Sequence, residues 1–273
     1  MSVLDQLAGW PVPSAAAAVV GINGLLETYG DQDARFALAS VTKPLTALAA
    51  LVAVEEGAIG LEDLVLPDVV AGATVRHLLA HASGLAADRV VRAVAPGTRR
   101  IYSNAGIDAL GAVVADATDI EFEAYFSEAV AGPLRLVATS VGTRPSRDGV
   151  ATVADLARVV TELIAPTGLL HPDTLAAATS VQFPGLPGVL PGYGPQAAND
   201  WGLGVEIKGG KFPHWTGATN SPATYGHFGR SGTMLWIDPV ARLGLIALTD
   251  RPFDAWSRSA WPTLSDDAVR AYA

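Results

Sequence analysis

The sequence predicts an α/β protein of the α+β type. One antiparallel sheet is assembled from strands at the two ends of the chain, flanked by helices and carrying an inserted, mostly helical lobe. Three observations lead there. Short apolar runs flank an Asn-Gly pair near the N-terminus. Strand-like runs return only after residue 200. Between them, from Leu61 to about Ala178, apolar positions recur at helical spacing. No repeat or low-complexity linker separates the parts. The sheet lobe (1–60 plus 198–273) and the helical lobe (61–197) are therefore expected to form one compact unit, with the seam between them as the natural ligand cleft.

Each element has a local reason. Ala15–Ile22 and Leu25–Tyr29 form a hairpin about Asn23-Gly24, a pair that suits a type I′ turn. A short strand, Arg35–Ala37, leads into a helix over Ser40–Glu56, stopped by Gly57 and Gly60. Pro44 fits only in a first turn, which places the helix start close to Ser40. The segment Leu45–Val54 has almost no polar face, the signature of a core helix. Thr74 caps Val75–His81, and Ser83-Gly84 ends it. Helices over Ala105–Ala117 and Phe122–Ala131 are split by Thr118-Asp119. Thr152–Ile164 and Pro172–Ala178 each open on a cap or an N1 proline. Phe183–Ala197 is rich in Gly and Pro and reads as a bridging loop. Strands follow at Trp201–Ile207, Ala223–His227, Thr233–Ile237 and Leu243–Thr249, the last pair joined at Pro239-Val240-Ala241-Arg242. Asp254 to Ala273 reads as one or two helices.

With 50% hydrophobic and 16% charged residues in 273, the chain can bury a large core and is too apolar for disorder. The net charge is -9 and no basic run exceeds Arg99-Arg100, which excludes a phosphate-tracking surface and hence nucleic acid as the main partner. The chain has no Cys, so disulfides, thiolate zinc sites and cysteine nucleophiles are ruled out. The start, Met1 to Gln6, lacks a basic n-region. Leu45–Val54 is half the roughly 20 apolar residues that a spanning helix needs. The expectation is a soluble, cytoplasmic chain without a membrane partner; oligomeric state is not legible.

Candidate chemistry starts at Ser40 and Lys43. Of 18 basic residues only three are lysines (Lys43, Lys208, Lys211), so this chain meets its need for surface cations with Arg. Arg keeps its proton, whereas a desolvated Lys can lose it and act as a base. Three apart on a helix, Ser40 and Lys43 share a face, and Ser40 sits where free N–H groups stabilise developing negative charge. With 14 serines and three lysines in the chain, chance supplies Ser-x-x-Lys roughly 15% of the time, so the pair alone is weak. Tyr102-Ser103-Asn104 is a second piece. In an extended segment phenol and amide face one way, the phenol able to relay a proton and the amide to hold a carbonyl or Lys43. A turn with a capping Ser and a half-buried Tyr is the plainer alternative. The third piece is Tyr225-Gly226-His227-Phe228-Gly229-Arg230-Ser231-Gly232, where glycines weaken a strand but admit close backbone approach. The competing reading there is a glycine-rich turn with a surface His.

In this order the pieces resemble the serine β-lactamase / penicillin-binding-protein-like superfamily, in its class C-like branch of esterases, D-aminopeptidases and carboxypeptidase-like hydrolases. Ser40–Lys43, Tyr102–Asn104 and His227–Gly229 stand at its three motifs, and Thr74-Val75-Arg76-His77-Leu78-Leu79-Ala80-His81-Ala82-Ser83-Gly84-Leu85 is a further landmark. The likeness runs from about Phe36 to Asp250. It implies the β-lactamase/transpeptidase fold and a cofactor-free, metal-independent serine hydrolase for a small-molecule or short-peptide acyl substrate. Ser40 would form the acyl-enzyme, and Lys43 and Tyr102 would move the proton. Asn104, His227, Gly229 and Arg230 would bind substrate, with the N–H groups of Ser40 and Arg230 as the oxyanion hole.

One departure shapes the expected substrate. His227 stands where many β-lactamases have Lys, and a largely neutral imidazole anchors a β-lactam carboxylate poorly unless Arg230 substitutes. An esterase, amidase or peptidase is expected before a resistance enzyme. Two rivals are a catalytically weak or inactive penicillin-binding-like protein and, behind it, a zinc hydrolase using His77 and His81, whose spacing can bind zinc on a helix. The position after His77 is Leu78 where a zinc protease needs Glu, so packing is the simpler role for both histidines. His171 and His214 read as loop residues.

Overall fold

The first hairpin of the computed structural model, which describes residues 2–273, turns one residue earlier than the sequence suggests. β1 (Ala15–Gly21) and β2 (Gly24–Tyr29) are joined through Ile22-Asn23, and Gly24 opens β2 at φ 105°. The left-handed backbone that the Asn-Gly pair signals is thus supplied by Gly24. Four strands from the C-terminal part complete the sheet: β7 (Glu206–Ile207), β8 (Tyr225–Gly229), β9 (Thr233–Asp238) and β10 (Leu243–Thr249). The order is β2-β1-β10-β9-β8-β7, antiparallel throughout. β3 (Phe36–Ala37) pairs with β4 (Val150–Ala151), and β5 (Gly188–Leu190) with β6 (Gly194–Gln196). The segment Phe183–Ala197 therefore holds a small hairpin within its loop. Of Trp201–Ile207 only the last two residues are strand; Trp201 itself is 1% exposed and packs inward.

The inner strands β1, β8, β9 and β10 are buried on both faces, whereas the edge strand β2 is largely exposed, and strand alternation assigns the inner side chains to each face. Ala16, Ala18 and Val20 of β1 join Leu235, Ile237, Ile246 and Leu248 in a large core. That core includes α1 (Thr42–Glu55), whose residues are buried almost without interruption to Leu51. Ala17, Val19, Trp236 and Leu245 face the other way, against Leu4, Leu7 and the tail helix. Each fully buried Leu or Val contributes about 2 kcal/mol, so a helix with no polar face is stable only in this position.

The remaining helices are α2 (Val75–Leu79), α3 (Asn104–Thr118), α4 (Phe122–Phe126), α5 (Gly132–Leu134), α6 (Val153–Ile164), α7 (Pro172–Ala178) and a single tail helix α8 (Ala255–Tyr272). Ser127–Ala131, between α4 and α5, is a wider π turn within the helix expected over Phe122–Ala131. α2 ends at Leu79, short of His81, which adopts φ 53°.

Candidate active site

Ser40 does not lie in α1. It sits in a 3-10 turn, Ala39–Val41, and the helix begins at Thr42. The preceding Ala39 has φ 46°, and its surroundings hold it there. Leu38 N–H donates to the Gly149 carbonyl at 2.8 Å, and Thr42 Oγ1 donates to the Ala39 carbonyl at 2.6 Å. From the sheet side, Ser231 Oγ donates to the Ala37 carbonyl (2.6 Å) and Thr233 Oγ1 to the Leu38 carbonyl (2.8 Å). Gly229 makes this approach possible, because a Cβ there would lie 2.2 Å from the Leu38 oxygen. The glycine of the third motif thus sets the distance between β8 and the serine turn.

Lys43, one turn into α1, is fully buried. Its Nζ lies 2.7 Å from Asn104 Oδ1, 2.8 Å from the Ser146 carbonyl and 3.2 Å from Ser40 Oγ. Burial is the chief reason its pKa falls to about 7, with Arg147 acting in the same direction and Asp108 and Asp88 opposing it. A neutral amine is therefore accessible near pH 7. A neutral amine has two N–H groups and one lone pair; the two short contacts take the N–H groups, which leaves the lone pair for the Ser40 hydroxyl.

Tyr102 O–H donates to Ser40 Oγ at 2.7 Å, with the Lys43 amine 4.6 Å from its ring centre. Burial raises the phenol well above its ordinary pKa, so Tyr102 holds its proton as a donor. Of the two groups beside Ser40 Oγ, the amine is the one able to accept a proton near neutral pH. His81 brackets this segment: its carbonyl accepts from Ile101 N–H at 3.0 Å and its Nδ1 from Ser103 N–H at 3.1 Å. That fixes the stretch on both sides of Tyr102. Ser103 caps α3 by accepting from Gly106 N–H at 2.9 Å, and Asn104 opens the helix. The sequence offered no sign that His81 serves Tyr102, because the partners are backbone N–H groups 20 residues away.

His227 on β8 is buried, and desolvation together with the nearby Lys43 lowers its pKa to about 3. The ring is neutral throughout the physiological range. Its Nδ1 lies 2.7 Å from the Phe228 carbonyl. A carbonyl only accepts, so the proton resides on Nδ1 and Nε2 is left as an acceptor. The surface-turn reading of this His does not hold. Arg230 follows β8 and is exposed. Ser40, Tyr102, Asn104, His227 and Arg230 all border one cleft of about 420 Å³, completed by Pro191, Gly192, Trp201, Glu206, Phe228 and Phe253. Larger surface hollows exist, for example the one lined by Asp63, Asp68 and Asp116, but none of these sets a base beside a nucleophile.

The zinc pairing of His77 and His81 fails geometrically. With α2 ended at Leu79 the two no longer share a helix face, and His77 Nδ1 accepts from Thr74 N–H in the capping box. Among the described residues no group of three metal-ligating side chains is brought together. His214 is no plain loop residue: its Nε2 lies 2.8 Å from Glu206 Oε1, which also accepts from Lys211 Nζ at 2.9 Å. Glu206 Oε2 accepts from Trp215 Nε1 at 2.9 Å. These neighbours hold the buried Glu206 ionised beneath the cleft despite desolvation.

The β-lactamase family profile matches residues 8–270. No curated protein matches the sequence significantly. Among solved structures, a β-lactamase from Mycobacterium bovis superimposes with a TM-score of 0.97 at 50% identity, over 99% of both chains. A variant of simvastatin synthase from Aspergillus terreus (TM-score 0.81, 20% identity, 98% of this chain and 93% of that one) shares the fold. So does EstCE1, a hydrolase with promiscuous acyltransferase activity (TM-score 0.81, 18% identity, 98% and 96%). The chain belongs to the β-lactamase family.

Proposed function

We propose that this protein is a serine hydrolase that cleaves an ester or amide through an acyl-enzyme on Ser40. The observation that carries the reading is the position of Ser40 Oγ, 3.2 Å from a buried amine and 2.7 Å from a phenol O–H. In the productive state Lys43 is neutral. As Ser40 Oγ bonds to the substrate carbonyl carbon, its proton passes to Nζ. The developing oxyanion is held by the backbone N–H groups of Ser40 and Arg230. Collapse of the intermediate expels the alcohol or amine, which takes a proton from Tyr102 O–H while Lys43 returns its own to the phenol oxygen. Water then attacks the acyl carbon and gives a proton to the neutral Lys43 amine, which passes it to Ser40 Oγ as the acyl–oxygen bond breaks, releasing the acid and restoring the serine.

The substrate class follows from charge. A carboxylate beside the motif needs a cation or donor, and His227 presents neither; among the described residues that line the cleft, Arg230 is the one Lys or Arg. Trp201, Phe228 and Phe253 offer apolar walls. Uncharged acyl groups on esters or amides therefore suit the cleft better than β-lactams do, and turnover distinguishes a hydrolase from an inactive ligand-binding relative.

A fluorophosphonate probe should add its mass at Ser40, and Ser40→Ala should abolish labelling. Labelling retained in that variant would refute the assignment. Intact-mass trapping with p-nitrophenyl esters, D-amino-acid amides and β-lactams then reads adduct and turnover together, esters being expected to turn over fastest.

A further inference from the structure

The two acceptors that orient the Lys43 amine are themselves held from behind, and the contacts close into a ring. Lys43 Nζ donates to the Ser146 carbonyl, and Ser146 N–H donates to Asp108 Oδ1 at 3.0 Å. Asp108 Oδ2 lies 3.7 Å from Arg147 Nη2, which lies 3.3 Å from Asp88 Oδ1. Asp88 Oδ1 accepts from Asn104 Nδ2 at 2.8 Å, and Asn104 Oδ1 returns to Lys43 Nζ. Every link has only one workable direction. A carboxylate can only accept, so Asp88 fixes the sense of the Asn104 amide and obliges it to show oxygen to the amine. Asp108 anchors the same residue from behind, accepting from the Ser146 N–H one peptide unit before the carbonyl that meets the amine.

We propose that Asp108, Arg147 and Asp88 are positioning residues forming a clamp behind Lys43, which aims the amine at Ser40 and balances the charge around it. The proposal rests on the reading of Lys43 as the base, and none of the three touches Ser40. Their charges act on the amine in opposite senses: the two carboxylates favour its protonation and the guanidinium disfavours it. The other titratable groups facing it do not offset this. Tyr102 keeps its proton, and His81 and His227, on the other walls, are neutral. Arg147 stands between the two acids, so the clamp offsets part of their pull while keeping their hydrogen bonds. Without Arg147, the same geometry would be bought with a more strongly protonated and less basic-ready lysine.

The chain's three lysines make the test direct. Protein labelled with ¹³C-lysine gives three Cε resonances, and the one missing in Lys43→Met is that of Lys43. Its titration midpoint should fall in Asp108→Asn and in Asp88→Asn, isosteric changes that keep an acceptor, and rise in Arg147→Met. Each shift should be roughly 0.5 pH unit or more. Opposite displacements support the clamp, because general loosening of the site moves all variants one way. Midpoints that stay put, or that all move together, overturn it. The acid limb of ester hydrolysis should follow the same displacements. Displaced titrations in a protein without turnover would instead sink the hydrolase reading and leave the clamp standing.

Discussion

Gly229→Ala tests how the fold delivers Ser40 to the sheet. The added Cβ would meet the Leu38 oxygen at 2.2 Å and Thr233 Oγ1 at 2.4 Å, where ordinary contact begins near 3.4 Å. The Thr233 side chain cannot simply rotate away without losing its 2.8 Å bond to the same Leu38 oxygen. Either β8 or the serine turn must therefore retreat by roughly 1.2 Å, an overpacking change that costs about 1–3 kcal/mol of stability. Leu38 is two residues from Ser40, so the retreat opens the gap between nucleophile and strand. A 1 Å misplacement of reacting groups costs on the order of 10²-fold in rate. The readouts are the second-order rate of fluorophosphonate labelling at Ser40 and the thermal midpoint. Gly210→Ala serves as control, since its Cβ would meet nothing within 4 Å. Labelling of Gly229→Ala at the wild-type rate with an unchanged midpoint would refute the argument that this glycine spaces the site.

Other outcomes follow from the same geometry. The labelling rate should climb about tenfold per pH unit below neutrality and level off above about 7, the pKa of Lys43; because that pKa is depressed, the active neutral amine is lost as pH falls, and a pH-independent rate from 5 to 9 would remove Lys43 as the base. His81→Ala should slow labelling by roughly 10-fold or more, for it deletes the acceptor of Ser103 N–H and strains a left-handed backbone. His81→Asn keeps an acceptor and tolerates that φ, so it should recover most of the rate; equal losses in both would show that His81 only fills space. Glu206→Gln should lower stability by about 3–5 kcal/mol in urea unfolding, since it leaves the fully buried Lys211 ammonium without its carboxylate. A loss below about 1 kcal/mol would mean that Lys211 sheds its proton instead.

Legibility tracked how local each cause is. The sheet built from both chain ends was readable because short apolar runs and the Asn-Gly signal act over a few residues. The apolar run of α1 could only be a core helix, and it is buried throughout its first ten residues. The sequence places Ser40 at the helix start because Pro44 must lie in a first turn. That turn does begin at Thr42; the tie of the Leu38 and Ala39 carbonyls to β9 and Thr42, which keeps Ser40 outside the helix, is a tertiary effect. The same distinction separates site residues. Ser40, Lys43, Tyr102, Asn104 and His227 stood out because spacing and residue type expose them, and the fold gathers all five around one cleft. Asp108 had a faint signal, lying one turn after Asn104 on the same face of α3. Asp88 and Arg147 had none, being loop residues whose meaning comes from each other.

That asymmetry bears on what a lysine needs in order to be a base. Burial alone lowers its proton affinity, but it also leaves the amine free to swing and invites any nearby carboxylate to restore the proton. Here the acceptors are an amide oxygen and a peptide oxygen, which orient the amine without carrying charge. The carboxylates that hold those acceptors stand one bond further out and face a shared guanidinium. Orientation and basicity are thereby set by different atoms. A second lysine makes the contrast: Lys211 is equally buried, yet it donates directly to the Glu206 carboxylate and to two carbonyls. Its three N–H groups are all engaged, and among the described residues no hydroxyl bonds to it, so its proton has nowhere useful to go. Of two buried lysines near one cleft, only the one denied a direct carboxylate partner is left with a lone pair to offer Ser40.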